Sequence, residues 1–69
     1  MNAVQKELES RKTEIRKAME LLFKVNMKIT DWDVPEADDK EAAGILVDML
    51  QEVLDEIKAD ISEGKYDYN

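Results

Sequence analysis

The chain has 69 residues and a formal net charge of −7 at pH 7, and it contains neither cysteine nor histidine. This length allows one small domain at most, near the lower limit at which a single hydrophobic core is stable. The composition excludes a disulfide framework, a thiolate metal site and histidine-based general-base chemistry. Hydrophobic residues make up 43% of the chain, and because they recur periodically they favour a folded protein over a disordered one.

The net charge also bears on the partners. Strong acidity disfavours binding to nucleic acid or to an anionic membrane, because their phosphate groups would be repelled. It favours a basic protein partner, the imitation of an acidic polymer, or simple solubility. No apolar run approaches the roughly 20 residues that a membrane span requires, and the N-terminal segment lacks the apolar stretch of a signal peptide. We therefore expect a cytoplasmic protein with no membrane association.

A first long helix is predicted over residues 2–29. Asn2 is a suitable N-cap, and Gln5 occupies the position that completes a capping box. Neither Pro nor Gly interrupts residues 1–34. Apolar residues recur every seven positions, which is typical of a coiled-coil seam. The two series of this seam are Leu8, Ile15, Leu22 and Ile29, and Val4, Arg11, Ala18 and Val25, with Met19 and Phe23 at the edges of the same face.

Two polar residues interrupt the seam. Arg11 falls within the second series, and Asn26 falls near the centre of the apolar face. Arg11 can lie at the edge with its head group in water, and Asn26 can lie where the helices splay apart. Alternatively, either residue sets the register or the oligomeric state at some cost in stability.

The connector is predicted over residues 30–38. Pro35 disfavours helical geometry at Val34, so a short turn is expected at 34–37. Trp32 falls within the connector, and it has two interpretations. It either closes one end of the helical bundle as a lid or, if it is exposed, anchors a partner, since Trp is enriched among interface anchors.

The second helix is predicted over residues 39–63. Asp38 is its predicted N-cap with Glu41 at the capping-box position, and Gly64 suits the left-handed position just past its end. Its apolar face covers roughly 160° of the circumference, against the about 100° that suffices to pack on one neighbour. The face consists of Leu46, Leu50, Val53, Ile57 and Ile61, flanked by Ala43, Val47, Met49 and Leu54. Residues 64–69 are expected to form a frayed tail.

These elements predict an all-α fold, an antiparallel helical hairpin of two long helices in a single domain over residues 1–69. Residues 1–30 carry seven basic and four acidic side chains, net +3, whereas residues 36–63 carry two basic and ten acidic ones, net −8. This division favours antiparallel packing of one helix on the other.

Both apolar faces are wider than one contact needs, so we expect two hairpins to form a homodimeric four-helix bundle. The layout resembles, in architecture only, a small plasmid copy-control RNA-binding protein that is a dimer of hairpins; its basic RNA-binding face is not matched. The predicted core and dimer interface consists of Leu8, Ile15, Met19, Leu22, Phe23, Leu46, Met49, Leu50, Val53, Leu54 and Ile57.

An acidic strip on the second helix is the main candidate for a partner surface. Asp48, Glu52 and Asp55 lie within about one-fifth of a turn of one another, and Glu41 extends the line. Such a strip either is a solvated helix face or imitates the spaced phosphates of DNA or RNA and so inhibits a nucleic-acid-binding protein. These four residues and Trp32 form the predicted partner surface.

Two all-helical enzyme families offer an alternative. Glu52, Asp55 and Glu56 have the i, i+3, i+4 spacing with which all-helical nucleotide pyrophosphohydrolases bind magnesium, although the adjacent double-Glu motif on the preceding helix is not matched. Arg11 on a long first helix resembles the chorismate mutase fold, without a specific motif and without its third helix. Both resemblances would imply a small enzyme.

The acidic connector does not fit a calcium-binding loop. Counted from Asp31, the sixth residue is Glu36 where an EF-hand has Gly, and the twelfth is Ala42 where it has Glu. We therefore expect no catalytic residue, no metal and no cofactor. The prediction is a non-catalytic regulator or inhibitor whose partners are a second copy of itself and a further protein, with a basic one favoured by the charge and no direct contact with nucleic acid.

Overall fold

The computed structural model describes residues 2–67, and all regular structure in that range is helical. Three helices follow one another: α1 over Ala3–Ser10, α2 over Lys12–Asp33 and α3 over Asp39–Ser62. α2 and α3 pack side by side as an antiparallel hairpin, so the predicted all-α hairpin is confirmed. The chain is 48 Å long, close to the roughly 46 Å that continuous helix would span from the start of α1 to the end of α2. None of the helices in this range is both long and apolar enough to cross a membrane.

The first helix is broken at Arg11, so the prediction of one continuous helix is wrong. Ser10 Oγ donates a hydrogen bond of 2.7 Å to the carbonyl oxygen of Glu7, and a Ser hydroxyl bonded in this way competes with the helical backbone pattern. The N–H of Arg11 donates instead to the carbonyl oxygen of Leu8 at 3.1 Å. Helical bonding resumes with the N–H of Ile15, which donates to the carbonyl oxygen of Arg11 at 3.0 Å.

α2 continues four residues past its predicted end at residue 29, and that predicted end is wrong. No residue before Pro35 breaks the helix, and the N–H of Val34 still donates to the carbonyl oxygen of Thr30 at 2.8 Å. Pro35 then disfavours helical geometry at the residue before it. A short turn follows, as predicted, in which the N–H of Ala37 donates to the carbonyl oxygen of Val34 at 3.0 Å.

The predicted N-caps of α1 and α3 and the predicted glycine after the end of α3 are confirmed. The Asn2 side chain accepts a hydrogen bond of 2.7 Å from the N–H of Gln5, and the Asp38 side chain accepts one of 3.2 Å from the N–H of Lys40. Gly64 has a φ of 80°, the left-handed conformation that ends many helices and that glycine adopts without a steric cost.

The contact between α2 and α3 is a single line of side chains rather than a closed interior. Within residues 2–67, no side chain is fully buried. The hairpin contact therefore shields only one stripe of each helix. Its half-buried members are Phe23, Met27 and Thr30 on α2, and Ala42, Ala43, Leu46 and Leu50 on α3.

Candidate interaction surfaces

The heptad seam of α1 and α2 is not the surface that contacts α3. The contact is made instead by the line through Phe23, Met27 and Thr30, which is half-buried. Leu22 is rotated about 100° away from Phe23 around the helix axis and remains 44% exposed. The other members of its series, Leu8, Ile15 and Ile29, are also exposed. The seam is therefore an apolar face with no neighbour in the hairpin.

A groove on the same side of the hairpin extends this apolar face onto α3. Asn26 on α2 and Ile45, Leu46 and Met49 on α3 line the groove, which we call the seam-side groove. Asn26 Nδ2 donates a hydrogen bond of 2.8 Å to the carbonyl oxygen of Leu22 in its own helix. Because the amide also carries an acceptor oxygen, a partner against the groove can donate a hydrogen bond to Asn26.

A second groove runs along the other side of the α2–α3 contact, and we call it the opposite groove. Met19 and Phe23 on α2 face Leu50 and Leu54 on α3 across it. Its rim is polar and includes Glu20, Lys24 and Gln51. The two grooves show that apolar side chains flank the hairpin contact on both sides, which is the geometric consequence of apolar arcs wider than one contact.

The predicted interface residues thus fall into three groups. Phe23, Leu46 and Leu50 meet in the hairpin contact; Met19, Met49 and Leu54 line the grooves; and Leu8, Ile15, Leu22, Val53 and Ile57 are exposed. Sequence reasoning missed Met27, Thr30 and Ala42, which are half-buried. Met27 and Thr30 follow Phe23 by four and seven residues, so helical spacing from Phe23 could have found them.

Trp32 is the most exposed large hydrophobic residue of residues 2–67, at 83%. It lies on the last turn of α2, nine residues after Phe23 and therefore about half a turn away from the α3 contact. Trp32 does not cover the end of the hairpin, because α2 carries it outward; its role as a lid on a dimeric bundle stays a prediction. Together with Val25 and Ile29 it lines a shallow apolar depression bordered by Lys28. This exposed cluster fits the alternative interpretation, that of a partner-binding anchor.

The acidic strip of α3 is fully open to solvent. Glu41, Asp48, Glu52 and Asp55 are all exposed. The only side-chain hydrogen bond that the structure gives the strip is a weak one, in which Gln51 Nε2 donates to Asp55 Oδ1 at 3.3 Å. Since none of these carboxylates forms an ion pair within residues 2–67, the strip presents its full negative charge to water.

The ion pairs of the described part of the chain lie at the end of α3. Lys65 Nζ is 3.0 Å from Asp60 Oδ1 and 3.3 Å from Glu63 Oε2. No ion pair within residues 2–67 joins α2 to α3. The opposite charges of the two arms therefore make no direct ion pair across the hairpin contact.

Two carboxyl groups meet where the connector begins and ends. Asp31 lies on the last turn of α2, and Asp39 is the first residue of α3. A hydrogen bond with the Asp39 side chain raises the pKa of Asp31 above its ordinary value, and some loss of hydration and the Asp39 charge act in the same direction. Within residues 2–67, no three acidic side chains are grouped to hold a metal ion.

The solvent-exposed area is large for a chain of this size. The chain exposes 6367 Å², whereas a compact folded protein of 8.0 kDa exposes about 4,450 Å². Its radius of gyration is 16.0 Å, whereas a compact domain of this length has one of roughly 11 Å. The excess exposed area is roughly 1,900 Å² relative to a compact monomer.

Comparison with known proteins connects this chain to no family: no protein-family model, no curated protein and no solved structure matches it. The candidate interaction surfaces are therefore the free seam, the two grooves, Trp32 and the acidic strip, as the structure alone presents them.

Proposed function

We propose that the chain is a non-catalytic regulator or inhibitor, which forms a homodimeric helical bundle in the cytoplasm and acts by protein–protein contact. The excess exposed area of roughly 1,900 Å² supports this proposal most directly. Obligate homodimers bury about 1,000 to 2,500 Å² on each partner, so a second copy accounts for the excess.

The position of the excess area supports a second hairpin as its occupant. The seam on α2 and the seam-side groove lie on one side of the hairpin and form a largely apolar face, with Asp38 and Glu41 at the connector end of the groove. A second hairpin presents the same face, and a two-fold axis brings two such faces together. The product is a four-helix bundle, in which each helix packs on two neighbours, as the widths of the apolar arcs require.

The first test is the oligomeric state. Sedimentation equilibrium at micromolar concentration is expected to give twice the chain mass of 8.0 kDa. The midpoint of thermal unfolding is expected to rise with chain concentration, because association stabilises the folded state by mass action. A sample that is fully helical by circular dichroism and has the mass of one chain would contradict the proposal.

The second test concerns the further partner. Trp32 points away from α3 and lies at the edge of the seam, beside Val25 and Ile29, so it is the expected anchor for another protein. Affinity capture with the wild-type chain and with Trp32→Ala as baits is expected to retain a protein on the first bait only. The variant must keep its dimer mass, since a loss of binding is otherwise explained by misfolding.

The open acidic strip supports a second candidate function, the inhibition of a basic nucleic-acid-binding protein by imitation of phosphates. Reversal of Asp48 and Asp55 to Lys is expected to abolish binding of the captured protein while helicity and the dimer mass are kept. The matched control reverses Glu7 and Glu14 to Lys, which changes the net charge equally at another place. Equal loss of binding in both variants would show that only net charge matters, and unchanged binding in the first would remove mimicry.

A further inference from the structure

The charge of the hairpin is divided between its two arms. Residues 1–30 have a net charge of +3, from seven basic and four acidic side chains, and residues 36–63 have one of −8, from two basic and ten acidic ones. Because no ion pair within residues 2–67 joins α2 to α3, this attraction is still available to a second copy.

Two hairpins can form a four-helix bundle in two orientations. With the two-fold axis along the bundle, both connectors lie at the same end and each α2 lies beside the α3 of the other copy. With the axis across the bundle, the connectors lie at opposite ends, and α2 then lies beside α2 and α3 beside α3. Only the first orientation places unlike helices next to each other between copies.

The acidic side chains on the seam side of α3 distinguish these orientations. Glu52 and Glu56 follow Ile45 and Met49 by seven residues, so they share the side of α3 that lines the seam-side groove. With connectors at opposite ends, Glu52 and Glu56 of both copies would lie between two α3 helices about 8 to 10 Å apart. Like charges at such distances are unfavourable, whereas the other orientation places them against the seam side of α2 and Arg11.

Arg11 supplies a specific partner for these carboxylates. Across the opposite groove Met19 is level with Leu54, so Arg11, eight residues before Met19, is level with the end of α3. A two-fold axis along the bundle keeps residues at the same level in both copies. Arg11 belongs to the seam series and therefore comes next to the last turns of the other copy's α3, where Glu56 and Glu63 lie on the seam side.

We propose that two copies pair with both connectors at the same end, so that Arg11 of each copy lies against the acidic last turns of the other's α3, between Glu56 and Glu63, the second of which also pairs with Lys65 of its own chain. This inference rests on the proposed homodimer and adds its orientation. Arg11 interrupts the apolar seam because it selects the pairing of α2 with α3, a role of buried or bordering polar residues in coiled coils. Its effect is on specificity more than on affinity.

Distances between labels test the orientation. The chain has no Cys, so Glu36→Cys in the exposed connector carries a single spin label. Labels on the two copies are expected within about 25 Å, because diagonal helices of a bundle lie about 14 Å apart. Connectors at opposite ends would separate them by about 35 Å or more, the length of α3. Labels at Ser62→Cys, at the other end of α3, are expected to give a short distance as well. A mixture of the two labelled variants is expected to add a long distance, which joins position 36 of one copy to position 62 of the other.

A charge exchange tests the Arg11 contact. Arg11→Glu alone and the double variant Glu56→Arg/Glu63→Arg alone are each expected to weaken their homodimers by roughly tenfold. An equimolar mixture of the two is expected to form heterodimers preferentially, because each contact then joins opposite charges. Neither effect is expected if α2 lies beside α2.

The outcomes separate this inference from the homodimer on which it rests. A mass of one chain by sedimentation removes both. A dimer mass with a long distance between labels at position 36 overturns the orientation and leaves the dimer intact. Short distances without preferential heterodimers overturn the assigned role of Arg11.

Discussion

Replacement of Leu22 by alanine is expected to weaken the homodimer roughly thirtyfold. Leu22 belongs to the free seam and is 44% exposed in the single hairpin. Burial of a whole leucine side chain contributes about 1.5 to 3 kcal/mol, so covering the exposed 44% contributes about 1 kcal/mol in each copy. The dimer loses this contribution twice, and a loss of about 2 kcal/mol raises Kd by the stated factor.

The neighbouring Leu21 provides the matched control. It precedes Phe23 by two residues and so lies about 160° from the α3 contact, on the outside of the expected bundle. It is 62% exposed, and its replacement by alanine is expected to change Kd by less than about twofold. Sedimentation equilibrium over a concentration series gives both constants, with circular dichroism as the check on helicity. Equal weakening by both variants would refute the assignment of the seam to the dimer.

Four further predictions concern single residues. Asp31→Asn is expected to raise the midpoint of thermal unfolding at neutral pH but not below pH 3.8, the ordinary pKa of the carboxyl. Because the pKa of Asp31 is raised in the folded chain, ionisation of its carboxyl destabilises the fold as the pH rises through the raised pKa. Equal midpoints of the variant and the wild-type chain at neutral pH would contradict this. Gly44→Ala, in the middle of α3 with no atom within 4 Å of the new Cβ, is expected to add about 0.8 to 1 kcal/mol in urea unfolding. Gly64→Ala is expected to lower the free energy of unfolding by about 1 to 2 kcal/mol because the φ of Gly64 is 80°. A change of the same sign in both glycine variants would contradict the assignment of Gly44 to a regular helix and of Gly64 to the left-handed conformation. Trp32 is expected to show the red-shifted emission and ready quenching of an exposed indole at every chain concentration, and a blue shift on association would place it in the dimer interface instead.

Local chemistry made the ends of the elements predictable. Asn2 and Asp38 cap their helices as their side chains predict, and Gly64 takes the left-handed conformation. The break before α2 was missed because a single hydroxyl, that of Ser10, decides it. The spacing of apolar residues does not indicate hydrogen bonds between a side chain and the backbone. The predicted end of α2 is too early because the apolar spacing stops at Ile29, whereas Pro35 is the residue that stops the helix.

The choice of neighbour was less predictable than the elements themselves. The seven-residue repeat identifies which residues of α1 and α2 are apolar, but it does not state which helix covers them. In the hairpin, Phe23 contacts α3 while Leu22, beside it in the sequence and in the stronger repeat, stays exposed. The excess width of the apolar arcs was the informative signal, because it predicts contacts on more than one side.

The absence of any fully buried side chain within residues 2–67 has a consequence for the lifetime of the chain in a cell. In the proposed homodimer a second copy would cover these side chains, and since association depends on the product of two concentrations, the folded state would become more stable as the chain becomes more abundant. Single chains would open more often than paired ones and would be more exposed to proteases. The lifetime of the chain would then rise with its own rate of synthesis.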